Sequence, residues 1–498
     1  MVSETAPLLR TAAELGERLV AAAVRDHDRV TWLGYDVDET GDEPVVVEAS
    51  AGADLYQGTA GIGWALARLA AMTQDAAAAD VARSALRHAL AHVPDDVSLH
   101  GGRIGIAYAA QEAGAALGDD DLVRAARALA ADVARACRRG VGDGRWDLMS
   151  GDAGVALALT AFGVDALTDA ALAIARRLAT AAVVEDEAWS WPSPESVEPP
   201  LCGLAHGASG AAVALAAVRE AADTTEFDGA IAGALAYERM WFDRASGWPD
   251  LRGLTRLEVH SGQRAAYPVQ WCHGAAGVGI ARLRVARALP QGNRPLALTE
   301  AATAIDLSTA AALRVLAAPE ADRSWLANVS ICHGIGSAVE LHLEAYAFTG
   351  DEAHLTHARR LMMRVLGLSP PPAQTGEDGT INHGTGDNGT GDTGTGDTGT
   401  GDNGTGDNGT GDNGAGDNGQ PRALPDVLPC GVPGAPEVPG LMLGTAGVIS
   451  LLLRLVTAGA IPPVDLPDIP AARKAAAPDE LRPAAAGHRA DARPVLPH

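Results

Sequence analysis

The sequence predicts an all-α protein in which helix pairs repeat around a common axis. Three observations support this fold class: a composition that favours helices, a recurring glycine motif, and apolar residues at helical spacing after each motif. Of the 498 residues, 47% are hydrophobic but only 4% are aromatic. Ala, Leu and Val dominate the apolar set. This favours packed helices over sheets, because strands are enriched in aromatic and β-branched residues.

The glycine motif divides the chain into repeats. Gly-x-x-Gly, or a variant of it in the sixth repeat, begins at residues Gly58, Gly102, Gly151, Gly207, Gly274, Gly334 and Gly444. After the first motif, Ile62, Leu66, Leu69 and Met72 recur at the spacing of one helix face. More polar, amphipathic segments lie between the motifs. We therefore predict buried inner helices that begin at each motif and outer helices that return around them.

An insertion and two terminal segments flank or interrupt these repeats. Residues 1–50 are predicted to form an N-terminal helical segment that packs on the repeats. Residues 51–375 and 420–460 are predicted to form one domain of helix pairs, interrupted by the insertion at 376–419. Residues 461–498 are rich in Pro and Ala and are predicted to be a flexible tail.

The insertion accounts for the long interval before the seventh motif. It reads largely as a five-residue repeat, Gly-Asp-Asn-Gly-Thr or Gly-Asp-Thr-Gly-Thr, with almost no apolar residue. Such a segment cannot offset the entropy that is lost on ordering, so we predict a disordered acidic loop. A calcium-binding spiral is the alternative, although its nonapeptide repeat does not match this period.

The charge and the cysteine count limit the classes of function. The formal net charge is −25, which argues against binding to nucleic acid. No secretory signal opens the sequence, and its best apolar stretch, residues 155–164, is too short to cross a bilayer. Five cysteines are a sparse, odd-numbered set that argues against a disulfide framework. We expect a cytoplasmic protein without a transmembrane segment.

Cysteine and histidine residues precede several of the motifs. Cys272 and Cys332 each lie two residues before the first glycine of their repeats. Directly before that glycine stand His206, His273 and His333. Equivalent positions of a repeat architecture lie at equivalent heights, so these side chains are expected to converge. Two thiolates and an imidazole are a typical zinc-binding set, and catalytic sites leave a fourth position open.

Spacing alone leaves several assignments open. Either His273 or His333 is the imidazole ligand, and the other would face the reacting centre. The two cysteines could instead be small buried core residues. His206 should lie beside the cluster, where it acts in catalysis or caps a helix. Asp147, four residues before its motif glycine, either orients His206 or caps a helix.

The remaining cysteines and one further histidine are predicted to be structural. The cysteines outside the shared position are Cys137, Cys202 and Cys430. His100 precedes Gly101, one place away from the position of His206 in its own repeat.

These motifs resemble those of the lanthionine cyclases of the LanC family and their LanC-like relatives. The resemblance covers residues 55–455 outside the insertion. It rests on the seven glycine motifs, His-Gly at His206, Trp-Cys-x-Gly at Cys272 and Cys-His-Gly at Cys332. It implies an α/α toroid of seven inner and seven outer helices, with a zinc ion at one end.

The resemblance also implies roles for individual residues. The zinc ligands would be Cys272, Cys332 and His333. His206 would be the acid/base histidine, and Asp147 lies where an active-site aspartate accompanies it.

The chain departs from the family pattern at three places. His273 stands where peptide cyclases often have Tyr, so it is a second candidate catalytic histidine. Residues 268–271 occupy the segment in which an arginine is expected, and Arg264 is the nearest candidate. Ser337 replaces the second glycine of the sixth motif.

The implied chemistry is a Michael-type addition. A peptide cysteine thiol, activated by zinc, would add to dehydroalanine or dehydrobutyrine in the same peptide and close a lanthionine or methyllanthionine ring. His206 or His273 would protonate the resulting enolate. No domain that dehydrates Ser or Thr is evident. The expected partners are therefore a dehydrated precursor peptide and a separate dehydratase.

Other functions fit parts of the same pattern. A LanC-like enzyme could add glutathione or another thiol to dehydrated residues, and the departures around Cys272 motivate this alternative. A non-catalytic, zinc-stabilised module could hold the peptide for a dehydratase. A glycosidase on this scaffold would need paired carboxylates at the helix rim, where this chain has Cys and His.

Overall fold

The computed structural model describes most of the chain. The described residues are 2–38, 45–138, 144–194, 199–261, 265–289, 294–319, 327–368, 424–425, 427–463 and 465–468. The insertion predicted at 376–419, the candidate Arg264 and most of the predicted tail lie outside these residues. Helices and strands are numbered in chain order.

A closed ring of inner helices forms the centre of the described structure. These helices are α2 (Thr59–Thr73), α4 (Arg103–Leu117), α6 (Asp152–Thr160), α8 (Ala208–Ala221), α11 (Ala275–Ala288), α13 (Gly336–Thr349) and α15 (Thr445–Val456). Each packs against the next in this order, and α15 packs against α2. Each begins within a glycine motif, as the sequence predicts.

A second ring of helices surrounds the first. The outer helices are α1 (Val2–Ala22), α3 (Ala76–Ala91), α5 (Asp120–Arg138), α7 (Asp165–Ala181), α9 (Asp228–Trp241), α12 (Arg294–Ala317) and α14 (Glu352–Val365). Each packs most extensively against one inner helix, and for α1 that helix is α15. A short helix, α10 (Arg256–His260), precedes α11. Within the described residues the fold is therefore the α/α toroid of seven inner and seven outer helices.

The second glycine of the motif is required by close approach of the backbone. A Cβ atom at Gly61 would overlap the carbonyl oxygen of Leu55, and one at Gly105 would overlap that of Leu99. In the sixth repeat, where Ser337 holds the second position, Gly336 makes the close approach to Ser330 instead. Glycine thus lets each inner helix begin directly against its own preceding loop.

The loops ahead of the inner helices are joined by a closed ring of backbone hydrogen bonds. Its members each lie two residues before the first motif glycine and are Tyr56, His100, Met149, Ala205, Cys272, Cys332 and Met442. The amide of each donates to the carbonyl of the next, at 2.8–3.3 Å, and Met442 donates to Tyr56. We call these residues the backbone ring. It places Cys272 and Cys332 side by side at one end of the toroid.

The first 50 residues differ from the prediction of helix alone. Helix α1 is itself the seventh outer helix, and two antiparallel hairpins follow it. Their strands are β1 (Val24–Asp26), β2 (Arg29–Thr31), β3 (Leu33–Asp38) and β4 (Val45–Ser50). A third hairpin pairs β5 (Val183–Glu185) with β6 (Ala188–Ser190). Valine-rich runs with alternating polar residues favour strands, and composition averaged over the chain hides such short segments.

The start of the predicted flexible tail is packed. Asp465 and Leu466 are buried, and the carboxylate of Asp468 lies 2.8 Å from the Arg284 guanidinium. Residues 465–468 are therefore packed against the helices, with Asp468 paired to Arg284.

One described helix, α12, is long and apolar enough by length and composition to cross a membrane. It packs in the outer ring against α11, α13 and α14. Since core helices also meet this criterion, the finding is weak evidence for a membrane span.

Candidate metal centre and acid–base site

Two thiols and one imidazole meet where α11 and α13 begin. The ligand atoms of Cys272, Cys332 and His333 all lie within 4.8 Å of one another, and no other such group of three occurs in the described part of the chain. Cys332 is buried, whereas Cys272 and His333 are partly exposed. His333 rather than His273 therefore lies with the two cysteines and is the candidate imidazole ligand.

A backbone carbonyl fixes the tautomer of His333. Its Nε2 lies 2.6 Å from the carbonyl oxygen of Gly431. Because a carbonyl can only accept, Nε2 carries the proton and, in the neutral ring, Nδ1 carries the lone pair. Metal-binding histidines are commonly oriented by a carbonyl in this way. Gly431, in the loop before α15, is a contributor that the sequence analysis missed.

The Gly431 contact yields a testable prediction. A Cβ atom at this position would lie 2.9 Å from His333 Nε2 and 2.9 Å from Ser330 Oγ. We expect Gly431→Ala to displace the ring and weaken zinc binding by about 10- to 100-fold, measured by competition with a chelator. Gly229→Ala, where a Cβ meets open space, should bind zinc like the wild type. Equal affinity of both variants would contradict this role.

The two thiols are inequivalent. The hydroxyl of Tyr56 donates to Cys332 Sγ at 3.1 Å. A hydrogen bond from Cys332, and one from the His333 ring when it is protonated, hold the pKa of Cys272 well below its usual value despite burial. The neighbouring Cys272 thiolate, together with burial, raises the pKa of Cys332. Cys272 is therefore the first of the pair to ionise.

This donor set fits a zinc ion. Zinc prefers thiolate and imidazole ligands in tetrahedral geometry, at about 2.3 Å from sulfur and 2.0–2.1 Å from nitrogen. Those bond lengths put neighbouring ligand atoms roughly 3.3–3.8 Å apart, which the spacing of Cys272, Cys332 and His333 allows. Three protein ligands leave one position for a substrate atom.

A histidine–carboxylate pair lies in the adjoining repeats. His206 Nδ1 is 3.3 Å from Asp147 Oδ2. Asp147 also accepts hydrogen bonds from the Ser150 amide at 2.6 Å and the Ser150 hydroxyl at 3.0 Å. Burial raises the pKa of Asp147, but the hydrogen bonds from His206 and Ser150 outweigh it and lower the pKa below the usual value. Asp147 thus closes a turn before α6 and places its carboxylate beside His206.

The ring of His273 lies beside that of His206. Their centroids are 5.8 Å apart and their planes are inclined by 25°. His273 is buried, and burial lowers its pKa. Gly274, which follows it, has a φ of +96°, and a Cβ there would overlap the Pro268 carbonyl. Glycine at this position therefore permits the turn that carries Cys272 and His273.

His100, which is predicted from sequence to be structural, is buried beside the candidate site. It occupies the backbone ring, at the position that Cys272 and Cys332 hold in their repeats. Its ring centroid is 6.2 Å from that of Tyr56 and 5.5 Å from that of Trp271. Burial and the nearby His206 lower the pKa of His100 to about 4. His100 is therefore a neutral imidazole at neutral pH.

His100 should make folding sensitive to acid. The unfolded chain takes up a proton below pH 6.5, whereas the folded ring stays neutral to about pH 4. The unfolded state then binds more protons, so stability falls as pH drops through this window, by up to about 3 kcal/mol. We expect His100→Gln to flatten the pH dependence of the free energy of unfolding in urea. The exposed control, His27→Gln, should leave the slope unchanged. If both variants flattened the pH dependence equally, the assignment to His100 would be contradicted.

The other cysteines stay apart from the metal cluster. Cys137 is buried on α5, where burial raises its pKa to about 11. Cys202 is buried as well. The Cys430 thiol faces the carbonyls of Val432 and Ala435 at 3.6 and 3.7 Å. None of the three lies in the group formed by Cys272, Cys332 and His333.

Comparisons with known proteins agree with this architecture. A family model described as "Lanthionine synthetase C-like protein" matches residues 49–380. Among 14 solved chains that match is one described as "Nisin cyclase", which is 17% identical. The match covers 72% of this chain and 85% of that one, with a TM-score of 0.50. At this identity the similarity concerns the fold alone. No curated protein sequence matches the chain.

Proposed function

Because the chain belongs to the lanthionine synthetase C-like family, we propose that it is a zinc-dependent lanthipeptide cyclase. It would add peptide cysteine thiols to dehydroalanine or dehydrobutyrine and form lanthionine or methyllanthionine rings. The observation that carries the proposal is the grouping of Cys272, Cys332 and His333 in the same rim of helix starts as the His206–Asp147 pair. A thiol-binding centre and an acid–base pair are the two devices that this reaction requires.

The addition is balanced without any oxidant or other co-reactant. The zinc ion, when bound, lowers the pKa of a coordinated substrate thiol, so that thiolate is present near neutral pH. The new C–S bond forms at the β-carbon as the C=C π bond breaks, and that electron pair moves onto the carbonyl oxygen as an enolate. A proton delivered to the α-carbon completes the ring. The product is an isomer of the substrate.

The histidines supply the proton transfers. The Asp147 carboxylate lies 3.3 Å from Nδ1 of His206 and favours the proton on that nitrogen. The lone pair of the neutral ring would then be on Nε2, which would take the thiol proton and return one to the α-carbon. The His206 side chain is 18% exposed, against 6% for Asp147, so the histidine is the member of the pair that substrate can reach. His273, whose ring lies 5.8 Å from that of His206, would steady the enolate or share the proton.

Tyr56 would position and tune the metal ligand Cys332. Its hydroxyl donates to the Cys332 sulfur, and such a bond stabilises a thiolate. We expect Tyr56→Phe to weaken zinc binding by roughly 10-fold in a chelator competition. Tyr237→Phe also removes a buried hydroxyl, one that donates to the Pro200 carbonyl. It is the matched control and should keep its zinc affinity. Unchanged affinity in Tyr56→Phe would exclude this role.

The direct test uses a peptide that contains both dehydroalanine and cysteine. Because cyclisation leaves the mass unchanged, the product is treated with a thiol-alkylating reagent, which labels uncyclised peptide only. We expect loss of labelling that depends on enzyme and zinc. If glutathione is present and the mass instead rises by one glutathione, the external-thiol alternative is correct. Retained labelling with tight peptide binding would favour the non-catalytic module.

The reaction also defines the partners. The substrate must already carry dehydrated Ser or Thr residues, so we propose that a separate dehydratase acts on the precursor peptide first. We place both steps in the cytoplasm, where reducing conditions would keep the substrate cysteine as a thiol.

A further inference from the structure

Three imidazoles cluster on the hairpin of α13 and α14, apart from the metal centre described above. Nδ1 of His342 lies 3.2 Å from Nδ1 of His354. The ring centroid of His342 is 5.5 Å from that of His354 and 5.4 Å from that of His357. His342 is buried, His354 is partly exposed and His357 is exposed. The cluster therefore reaches from the core to the solvent.

Hydrogen bonds leave lone pairs on two of these rings. The Thr309 hydroxyl donates to the Ile305 carbonyl at 2.7 Å, so it accepts at 3.0 Å from Nε2 of His342. In the neutral ring the lone pair of His342 is then on Nδ1, the atom that faces His354. His357 donates from Nδ1 to the Ala353 carbonyl at 2.7 Å, which leaves its lone pair on Nε2. A hydroxyl or carbonyl on the second nitrogen is the usual support of a metal-binding histidine.

The spacing of the two facing nitrogens suits a shared cation. Two nitrogens at 2.0–2.1 Å from a tetrahedral zinc ion lie about 3.3 Å apart, close to the 3.2 Å between His342 and His354. Burial, with the neighbouring His354 and His357, lowers the pKa of His342 to about 3, and burial also lowers that of His354. Both rings are therefore neutral and able to bind a metal at physiological pH. Asp351, whose charge raises the pKa of His354, supplies a favourable field for a cation.

We propose that His342, His354 and His357 bind a second borderline divalent transition metal ion, such as zinc. Without metal, Nδ1 of His354 donates to the lone pair on Nδ1 of His342. The ion would replace that proton, which His354 would then carry on Nε2 instead. The exposed His357 would turn on its side-chain bonds, giving up the Ala353 carbonyl, to add Nε2. Imidazole donors select zinc, nickel or copper over magnesium and calcium. The ion would tie inner helix α13 to outer helix α14. Helix α13 begins three residues after His333, so this site would support the segment that carries the first metal centre.

Metal counting tests this site separately from the proposed function. After zinc loading and dialysis we expect about two ions per chain in the wild type and about one each in Cys272→Ala and His354→Ala. The combined variant should hold none. His27→Ala, which removes an exposed histidine paired with Asp26, should keep both ions. His357→Ala leaves two imidazoles, too few to hold the ion through dialysis, and should also keep about one ion per chain.

Cobalt substitution gives a second readout that identifies the donors. The cysteine site should give thiolate-to-cobalt charge-transfer absorption, and the imidazole site should add d–d absorption alone. We expect His354→Ala to lose the second signal and keep the first. If His354→Ala retains as much metal as the wild type, or if Cys272→Ala retains none, the second site is excluded. If both Cys272→Ala and the wild type hold about one ion, the imidazole site stands and the cysteine site fails.

Discussion

Replacing Cys272 with alanine is expected to remove the catalytic zinc ion and to lower ring formation by at least about 100-fold. Cys272 is the thiol whose pKa is held down by Cys332 and His333. Its loss leaves one thiolate and one imidazole, too few ligands to fix a tetrahedral site. Without the metal, a substrate thiol keeps its ordinary pKa near 8.5 and little thiolate is present at neutral pH. Zinc content and alkylation-resistant product should therefore fall together.

Cys137→Ala is the matched control for this variant. Cys137 is a buried thiol as well, but it lies on outer helix α5. It should keep the zinc of the cysteine site and the cyclase activity, with at most a small loss of stability from the cavity. Full zinc retention at the cysteine site in Cys272→Ala would refute the ligand assignment. Zinc loss with unchanged ring formation would refute the thiol-activation mechanism.

The fold and the metal cluster could be predicted because one sequence position recurs in every repeat. The residue two places before the motif glycine always enters the backbone ring. Two cysteines at that position in adjacent repeats must therefore be neighbours, although 60 residues separate them. The fold followed from the same periodicity, since each motif begins an inner helix.

Other parts of the site could not be predicted from that position alone. Gly431 contacts His333 from the loop that follows the long insertion. Nothing in the sequence indicates that these two distant residues meet. Which of His273 and His333 lies with the two cysteines depends on the direction in which each side chain points. The Gly431 carbonyl holds the His333 ring in its position. His100 could have been found: Gly101 and Gly102 are adjacent, and counting from Gly102 puts His100 in the position of the cysteines.

The acid–base assignment predicts a different phenotype from the metal assignment. We expect His206→Asn to lower turnover by about 10²- to 10⁴-fold, the usual contribution of a general acid or base, while zinc content stays unchanged. His206 is not one of the three residues whose donor atoms cluster, so the ion should remain. Asp147→Asn, which removes the acceptor of His206 Nδ1, should give a smaller loss of about 10- to 100-fold, because the ring stays but is less well oriented.

Turnover of the zinc-loaded variants decides between an enzyme and a peptide-holding module. His92→Asn, at the exposed end of α3, controls for the loss of a histidine and should retain wild-type rates. In a module that only binds peptide, His206→Asn would affect ring formation no more than His92→Asn does. In the proposed cyclase, His206→Asn must form rings slowly even at saturating peptide, because the missing imidazole acts on the thiol and the enolate after the peptide has bound. If His206→Asn turned over at the normal rate, the role of proton donor would have to be assigned to His273. The variant His273→Asn should then show the loss of turnover.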